Sequence, residues 1–277
     1  MKIITNTASS LNIQEGAQLG INILPVSVSI EGRVLRDYID ISPDEYVKLL
    51  RGEEIPSSSQ PSIGDIMDLL DDSGEETIML TVADGLSGEY GSAMAVRNSL
   101  QNRDSVYVIN SGTLAGPLRY MATAAARLRD QGKSAKEIVR QITALAGSSI
   151  SYVIPSDFRY LRKSGRISHL TSRIGGALHL LPVLTQTEDR KRISFKTVRR
   201  TWKSAVETVL AGLRERGVDE GCLISIAYAD QRPLAEKVLK QVRESFPRTE
   251  CEILQLAPSL ITHGGPGCIV IQAIHKI

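Results

Sequence analysis

Short apolar runs alternate with helical periodicities through the first half of the chain. Lys2–Thr5 reads as a strand. Apolar and polar positions alternate along Ile21–Ile30, and Glu31-Gly32 predicts a hairpin turn into Val34–Tyr38. Ser42-Pro43-Asp44-Glu45 has the form of a helix start, with a capping hydroxyl, an early proline and a glutamate three residues on. Ser62 with Asp65 and Ser134 with Glu137 repeat that signal. Thr77–Val82 and Val106–Ile109 read as buried strands, with helices over Glu89–Leu100 and Leu118–Asp130. Glu53–Ser62, rich in Ser and Pro, reads as a linker. This alternation predicts a mostly parallel sheet covered by helices on both faces.

The second half has a different rhythm. Ser149–Ile154 reads as a strand, and Ser156 as the cap of a short basic helix ending at Gly165. Ser172–Leu181 is apolar and helical. Leu184–Thr187 and Ile193–Val198 flank a polar turn, Glu188–Lys191, as strands of a hairpin. A helix over Thr201–Arg216, a strand at Cys222–Ala229, a helix over Gln231–Ser245 and strands at Cys251–Leu256 and Cys268–Ala273 complete an α+β pattern with a mixed or antiparallel sheet. The expected fold is therefore two-domain α/β, with residues 1–155 forming the N-terminal domain and 156–277 the C-terminal one.

Composition narrows the chemistry. Of 277 residues 42% are hydrophobic but only 4% aromatic, so the core must be aliphatic. Three cysteines at positions 222, 251 and 268 lack zinc spacing, and Cys222 and Cys268 sit in apolar runs that suit buried thiols. The first residues are too short and polar for a signal peptide, and no apolar run approaches the roughly 18 residues of a membrane span. A cytoplasmic protein without stable membrane insertion is expected. The net charge of +2 conceals an asymmetry: residues 159–203 carry 12 basic side chains against two acidic ones. That stretch is either a solvated face or a docking surface. Nucleic acid is disfavoured, because aromatics to stack bases are nearly missing.

In open parallel sheets, ligands bind beyond the carboxyl ends of the strands. Those ends carry Asn6–Ser10, Ala83–Gly88 and Asn110–Thr113, loops of hydroxyls, amides and glycine with Asp84 as their carboxylate. Ser57–Ser62 adds more hydroxyls. Such groups either cap helices and make turns or hold a small anion. Ser87-Gly88 is the most suggestive pair, since glycine lets a ligand approach the backbone. His263-Gly264-Gly265-Pro266-Gly267, ahead of the last strand, is either an exposed turn or an anion contact. Phosphate-loop, dinucleotide and nucleophile-elbow signatures are absent, and no histidine pair has metal spacing.

Five segments together resemble the DegV family, bacterial fatty-acid-binding proteins that serve as the lipid-carrying subunit of fatty acid kinase. They are Ser58–Ser62, Leu86–Ala93, Leu161–Ser168, Val198–Lys203 and His263–Gly267, in order along essentially the whole chain. The resemblance implies a long-chain fatty acid, such as palmitate, stearate or oleate, buried between two α/β domains, with no other cofactor and no metal. Ser87 matches the serine that hydrogen-bonds the carboxylate. Ser58 falls where threonine is usual, Gly88 lies beside Ser87, and His263 and Arg166 match residues around the head group. Arg199, Arg200 and Lys203 match the region that meets the kinase subunit, which would supply ATP and phosphorylate the carboxyl group. Such a carrier is not itself an enzyme, and transient membrane contact fits lipid exchange. Ile174, Ala177, Leu178, Leu181, Leu260 and Ile261 are candidates for the tail channel or for ordinary core. The family usually has Asp at the positions of Asn6 and Asn110. The competing expectation is a serine esterase or acyltransferase with Ser87 as nucleophile and His263 as base. A third is a regulatory module whose basic face binds nucleic acid.

Overall fold

The computed structural model describes residues 1–50, 52, 54–71, 74–167 and 180–277. Four parallel strands form the first sheet: β1 (Lys2–Asn6), β2 (Ile21–Leu24), β6 (Thr77–Thr81) and β7 (Val106–Asn110), in the order β2-β1-β6-β7. Successive side chains on a strand face opposite sides. Ile4, Met79 and Val106 accordingly pack against α3 (Ile63–Leu70) and α4 (Glu89–Ser99), while Ile3, Ile78, Leu80 and Ile109 pack against α5 (Ala115–Asp130) and α6 (Ala135–Ala146). The expected helices on both faces are therefore present.

Local signals explain most boundaries. Asn12, Ser42 and Ser134 form complete capping boxes on α1 (Ile13–Gln18), α2 (Pro43–Leu49) and α6, and Ser62 caps α3. The stretch Ile21–Ile30 is two strands rather than one, because Pro25 has no N–H for a ladder. Its second part, β3 (Ser27–Ile30), turns through Glu31 and Gly32, at φ 51° and 71°, into β4 (Arg33–Arg36). Positive φ at both turn residues matches the twist of a two-residue hairpin. Part of the expected linker pairs with β3 as β5 (Ser57–Ser59), giving a small antiparallel sheet β4-β3-β5.

The second half builds a six-stranded mixed sheet, ordered β10-β9-β8-β13-β11-β12. Its strands are β8 (Ile150–Ile154), β9 (Leu181–Gln186), β10 (Ile193–Arg199), β11 (Cys222–Tyr228), β12 (Glu250–Gln255) and β13 (Ile269–His275). Pairings are antiparallel except β11 with β12. β8 lies before residue 155 in sequence yet pairs with β13 and β9, so the change of sheet falls between α6 and β8. The basic helix α7 (Phe158–Ser164) is capped by Asp157, not Ser156, whose hydroxyl instead donates to the Gly267 carbonyl at 2.8 Å. Ser172–Leu181 falls outside the described residues up to position 179.

α8 (Trp202–Glu215) and α9 (Arg232–Ser245) cover one face of this sheet. α5 packs on the other while also covering the first sheet, so it is sandwiched between the two. Its alanines at 122, 124, 125 and 126 allow that close approach. A Cβ on Gly116 would lie 2.3 Å from Ser225 Oγ on β11. Gly116→Ala should therefore force the layers apart and cost about 1–3 kcal/mol, read as a lower urea midpoint at unchanged m-value.

Candidate functional site

Between the carboxyl ends of β1 and β6, the small sheet and the six-stranded sheet lies a cavity of about 220 Å³. Ser58, Ser87, Gly88, Arg166 and His263, which the sequence distributes over more than 200 positions, all line it. Each arrives on a different piece of structure. Ser58 is the middle residue of β5. Ser87 and Gly88 precede α4, and the Ser87 hydroxyl accepts from the Glu89 N–H at 3.2 Å. Gly88 has an ordinary helical φ of −77°. A Cβ there would stand 2.9 Å from Gln60 Oε1, the movable end of that side chain. Arg166 follows the left-handed Gly165 that ends α7.

His263 is not an exposed turn. It sits on α10 (Pro258–Gly264), a short helix started by Pro258 and ended at Gly265, which has φ 76°. A half-buried side chain facing the cavity, its Nε2 is 2.8 Å from Ser58 Oγ. Burial, with the Arg166 cation adding to it, pushes the imidazole pKa down to about 3, so the ring is neutral at pH 7. Arg166 donates from Nε to the Leu86 carbonyl at 3.2 Å and from Nη1 to the Ser164 carbonyl at 2.7 Å. Burial lowers its pKa as well, but a guanidinium stays charged. The Ser58–His263 pair, the Ser87 hydroxyl and the Arg166 cation thus make up a polar part of the lining that carries one fixed positive charge. Most of the other lining is aliphatic, including Val26, Val153, Leu161, Leu256, Leu260 and Val270.

One further lining residue lies outside the sequence-predicted set. Glu89, first residue of α4, is fully buried. Burial raises its pKa to about 7, against hydrogen bonds from Asn6 and from the Val82 N–H. Asn6 Nδ2 donates to Glu89 Oε2 at 2.5 Å and Val82 N donates at 3.0 Å, while Oε1 has no hydrogen-bond partner. An amide at position 6 therefore suits this chain, since an aspartate there would set two buried carboxylates against each other. Asn110 has a separate role: its Oδ1 accepts from the Asp84 and Gly112 N–H groups, both at 3.1 Å, and holds the loop after β7.

A nucleophile–base pair of Ser87 and His263 does not form: the imidazole is bonded to Ser58, and the Ser87 hydroxyl accepts from the Glu89 N–H. A ring with a pKa near 3 is also a poor base at neutral pH. Arg199, Arg200 and Lys203 lie outside the cavity, where β10 passes into α8. Arg200 and Lys203 are exposed, but Arg199 bonds Thr208 Oγ1 at 2.9 Å, Thr197 Oγ1 at 2.6 Å and the Val198 carbonyl at 2.9 Å. Of the tail candidates, Leu260 lines the cavity, Ile261 packs in the core and Leu181 begins β9. Ile174, Ala177 and Leu178 lie outside the described residues. Cys268 lines the cavity as a buried thiol whose pKa burial pushes up to about 12. Among the described residues no helix is long and apolar enough to cross a membrane.

Comparison with known proteins agrees with this architecture. The model of an uncharacterised protein family, DegV, matches residues 1–276. A DegV domain-containing protein of Staphylococcus aureus is 27% identical over 99% of this chain and 98% of its own length. Among solved structures, a DegV family protein from Thermus thermophilus, described for its fatty acid binding, superposes with a TM-score of 0.89 at 23% identity, covering 99% of both chains. A DegV family protein from Eubacterium eligens, loaded with heptadecanoic acid, gives a TM-score of 0.87 at 19% identity over the full length of both.

Proposed function

The chain belongs to the DegV family, and from that premise we propose that its cavity holds one long-chain fatty acid, carboxylate toward Ser58, Ser87, Arg166 and His263 and tail among the aliphatic residues. The observation that carries this reading is the convergence of those four side chains on one otherwise mostly aliphatic cavity. The solved relatives from Thermus thermophilus and Eubacterium eligens, described as binding fatty acid and as loaded with heptadecanoic acid, support it.

The energetics follow from the two ends of the ligand. Burying about 14 methylenes of a 16-carbon acid contributes about 11 kcal/mol at about 0.8 kcal/mol each. Lost freedom on association costs about 4–15 kcal/mol. Hydrogen bonds to the charged head add about 1.5–3 kcal/mol each. The tail supplies affinity, while the head group supplies orientation and the preference for an acid. Hydroxyls, a neutral imidazole and a guanidinium can hold a carboxylate, or a bulkier acyl phosphate, without hydrolysing it.

The same arrangement suits a carrier that presents its carboxyl group to a separate kinase subunit, the partner doing the phosphoryl transfer. Arg200 and Lys203 then form the docking surface, while Arg199 shapes it from within. Charge reversal at Arg200 and Lys203 should weaken kinase association and leave lipid content unchanged.

The head-group assignment is tested by calorimetric titration of delipidated protein with palmitate and with hexadecanol. Palmitate should bind at least about tenfold more tightly, the equivalent of one charged hydrogen bond. Ser87→Ala and Arg166→Gln should each narrow that preference. Equal affinity for acid and alcohol would place the head group elsewhere.

A further inference from the structure

At the far end of the six-stranded sheet from the cavity, three side chains of different donor type converge. Cys222 opens β11 and His275 closes β13, and the antiparallel register sets them directly opposite each other. Asp219 precedes β11 in the turn that leads into it. The Cys222 Sγ lies 3.4 Å from His275 Nδ1 and 3.9 Å from Asp219 Oδ1. One donor atom from each of the three lies within 4.8 Å of the others. From Val270, on the cavity wall, His275 is five residues along β13, or about 17 Å at about 3.3 Å per residue.

The backbone around the three is held in place. The Asp219 carbonyl accepts from the Cys222 N–H at 3.1 Å and from Thr249 Oγ1 at 3.0 Å. Asp219 Oδ1 accepts from the Gly221 N–H at 2.9 Å. The Lys276 N–H donates to the Gly221 carbonyl at 2.8 Å, and the His275 N–H to Ser148 Oγ at 3.3 Å. Among the described residues, the imidazole of His275 bonds only the Cys222 thiol.

We propose that Asp219, Cys222 and His275 form a binding site for a divalent cation of the zinc class. Thiolate, imidazole and carboxylate together match the borderline softness of Zn²⁺. Tetrahedral bonds of about 2.3 Å to sulfur and about 2.0–2.2 Å to nitrogen or oxygen place neighbouring donors roughly 3.3–3.7 Å apart. The Sγ–Nδ1 and Sγ–Oδ1 separations of 3.4 and 3.9 Å lie within a few tenths of an ångström of that range. A Cys–His–Asp relay would instead place the carboxylate behind the imidazole, on the side away from the sulfur. Here the carboxylate and the imidazole both approach the sulfur, which is the arrangement of a chelate. Binding displaces the Cys222 thiol proton to solvent as the metal–sulfur bond forms. Three protein ligands leave a fourth position for water.

Metal-spacing rules look for ligands a few residues apart. These three span 219 to 275, and only the β11–β13 register brings them together.

The test uses the full chain, stripped with chelator and titrated first with Co²⁺ and then with Zn²⁺. Co²⁺ should produce a thiolate-to-cobalt charge-transfer band with four-coordinate intensity, and one equivalent of Zn²⁺ should abolish it. Cys222→Ser should remove the band and weaken Zn²⁺ binding at least about 100-fold. His275→Ala, at an exposed position, should weaken it at least about tenfold with an unchanged circular dichroism spectrum. Cys251→Ser should leave both readings intact. Absence of the band in the parent protein, its survival in Cys222→Ser, its loss in Cys251→Ser, or Zn²⁺ affinity unaltered in His275→Ala would each overturn the assignment.

Discussion

Leu260→Trp should lower fatty-acid affinity at least about 100-fold while the protein melts within a few degrees of the parent. Leu260 is half-buried on α10 and faces the cavity. An indole at this position extends into the space assigned to the tail. Excluding even four methylenes from that space removes about 3 kcal/mol, more than a hundredfold in affinity. Folding should suffer little, because the added ring fills existing volume rather than displacing packed neighbours. The change leaves the polar patch untouched, so a retained preference for acid over alcohol in the weakened complex would show that only the tail is affected. Undiminished affinity would mean that the tail runs elsewhere.

Glu89→Gln should stabilise the protein at pH 8 by about 2 kcal/mol more than at pH 5. The folded Glu89 has its pKa raised from 4.5 to about 7 by burial. A carboxyl whose folded pKa is raised contributes stability that is complete below the unfolded value and lost as pH rises through the folded one. The shift from 4.5 to about 7 amounts to about 3 kcal/mol at about 1.36 kcal/mol per unit, nearly all lost by pH 8. Part of that loss has already occurred at pH 5, which leaves the difference of about 2. Glutamine keeps one carbonyl to accept from Asn6 and Val82 and never ionises. His263 acts in the opposite direction: its pKa falls from 6.5 to about 3, so its contribution is complete above 6.5 and is lost as pH falls toward 3. Asp37, raised by burial to about 7 against bonds from Ser259 and Thr7, adds to the trend of Glu89. Both remain in the variant and cancel in the comparison. Urea denaturation of parent and variant across this range gives the answer, and a difference independent of pH would remove the buried ionisation from the account.

Much of the fold was legible because its causes are local. Serine caps with glutamate three residues on, alternation on half-covered strands and the Glu31-Gly32 turn each act within a few residues. The Thr201 cap of α8 is the same kind of signal, whereas β9 begins at Leu181, three residues before the expected Leu184 and inside the stretch expected to be helical. What escaped depends on distant partners. β5 is three serines with no hydrophobic pattern, and it is a strand only because β3 offers an edge. α10 is short, carries glycine at its end and is held by packing against α2, α7 and the small sheet. The break in Ile21–Ile30 was available in Pro25 but hidden by the alternation on either side. β8 carries an ordinary strand pattern that does not say which sheet it will join.

The candidate site divides in the same way. Its residues were identified by resemblance to a family, while their local patterns were equally those of caps and turns. The Ser58–His263 contact spans 205 positions and has no local signature. Glu89 looked like an ordinary acidic residue in the first turn of a helix. Its hydrogen-bond partners Asn6 and Val82 come from the end of β1, far away in sequence, and from the residue after β6.

The central claim is that this cavity grips a long-chain acid without transforming it. Its most direct test is mass spectrometry of protein purified from a bacterial host, first under native conditions and then after denaturing extraction. The account predicts about one intact, unesterified long-chain fatty acid per chain, as a mass increment in the native spectrum and a free acid in the extract. Protein reproducibly empty in both measurements, or fatty acid recovered only as a covalent adduct on a serine, would contradict it.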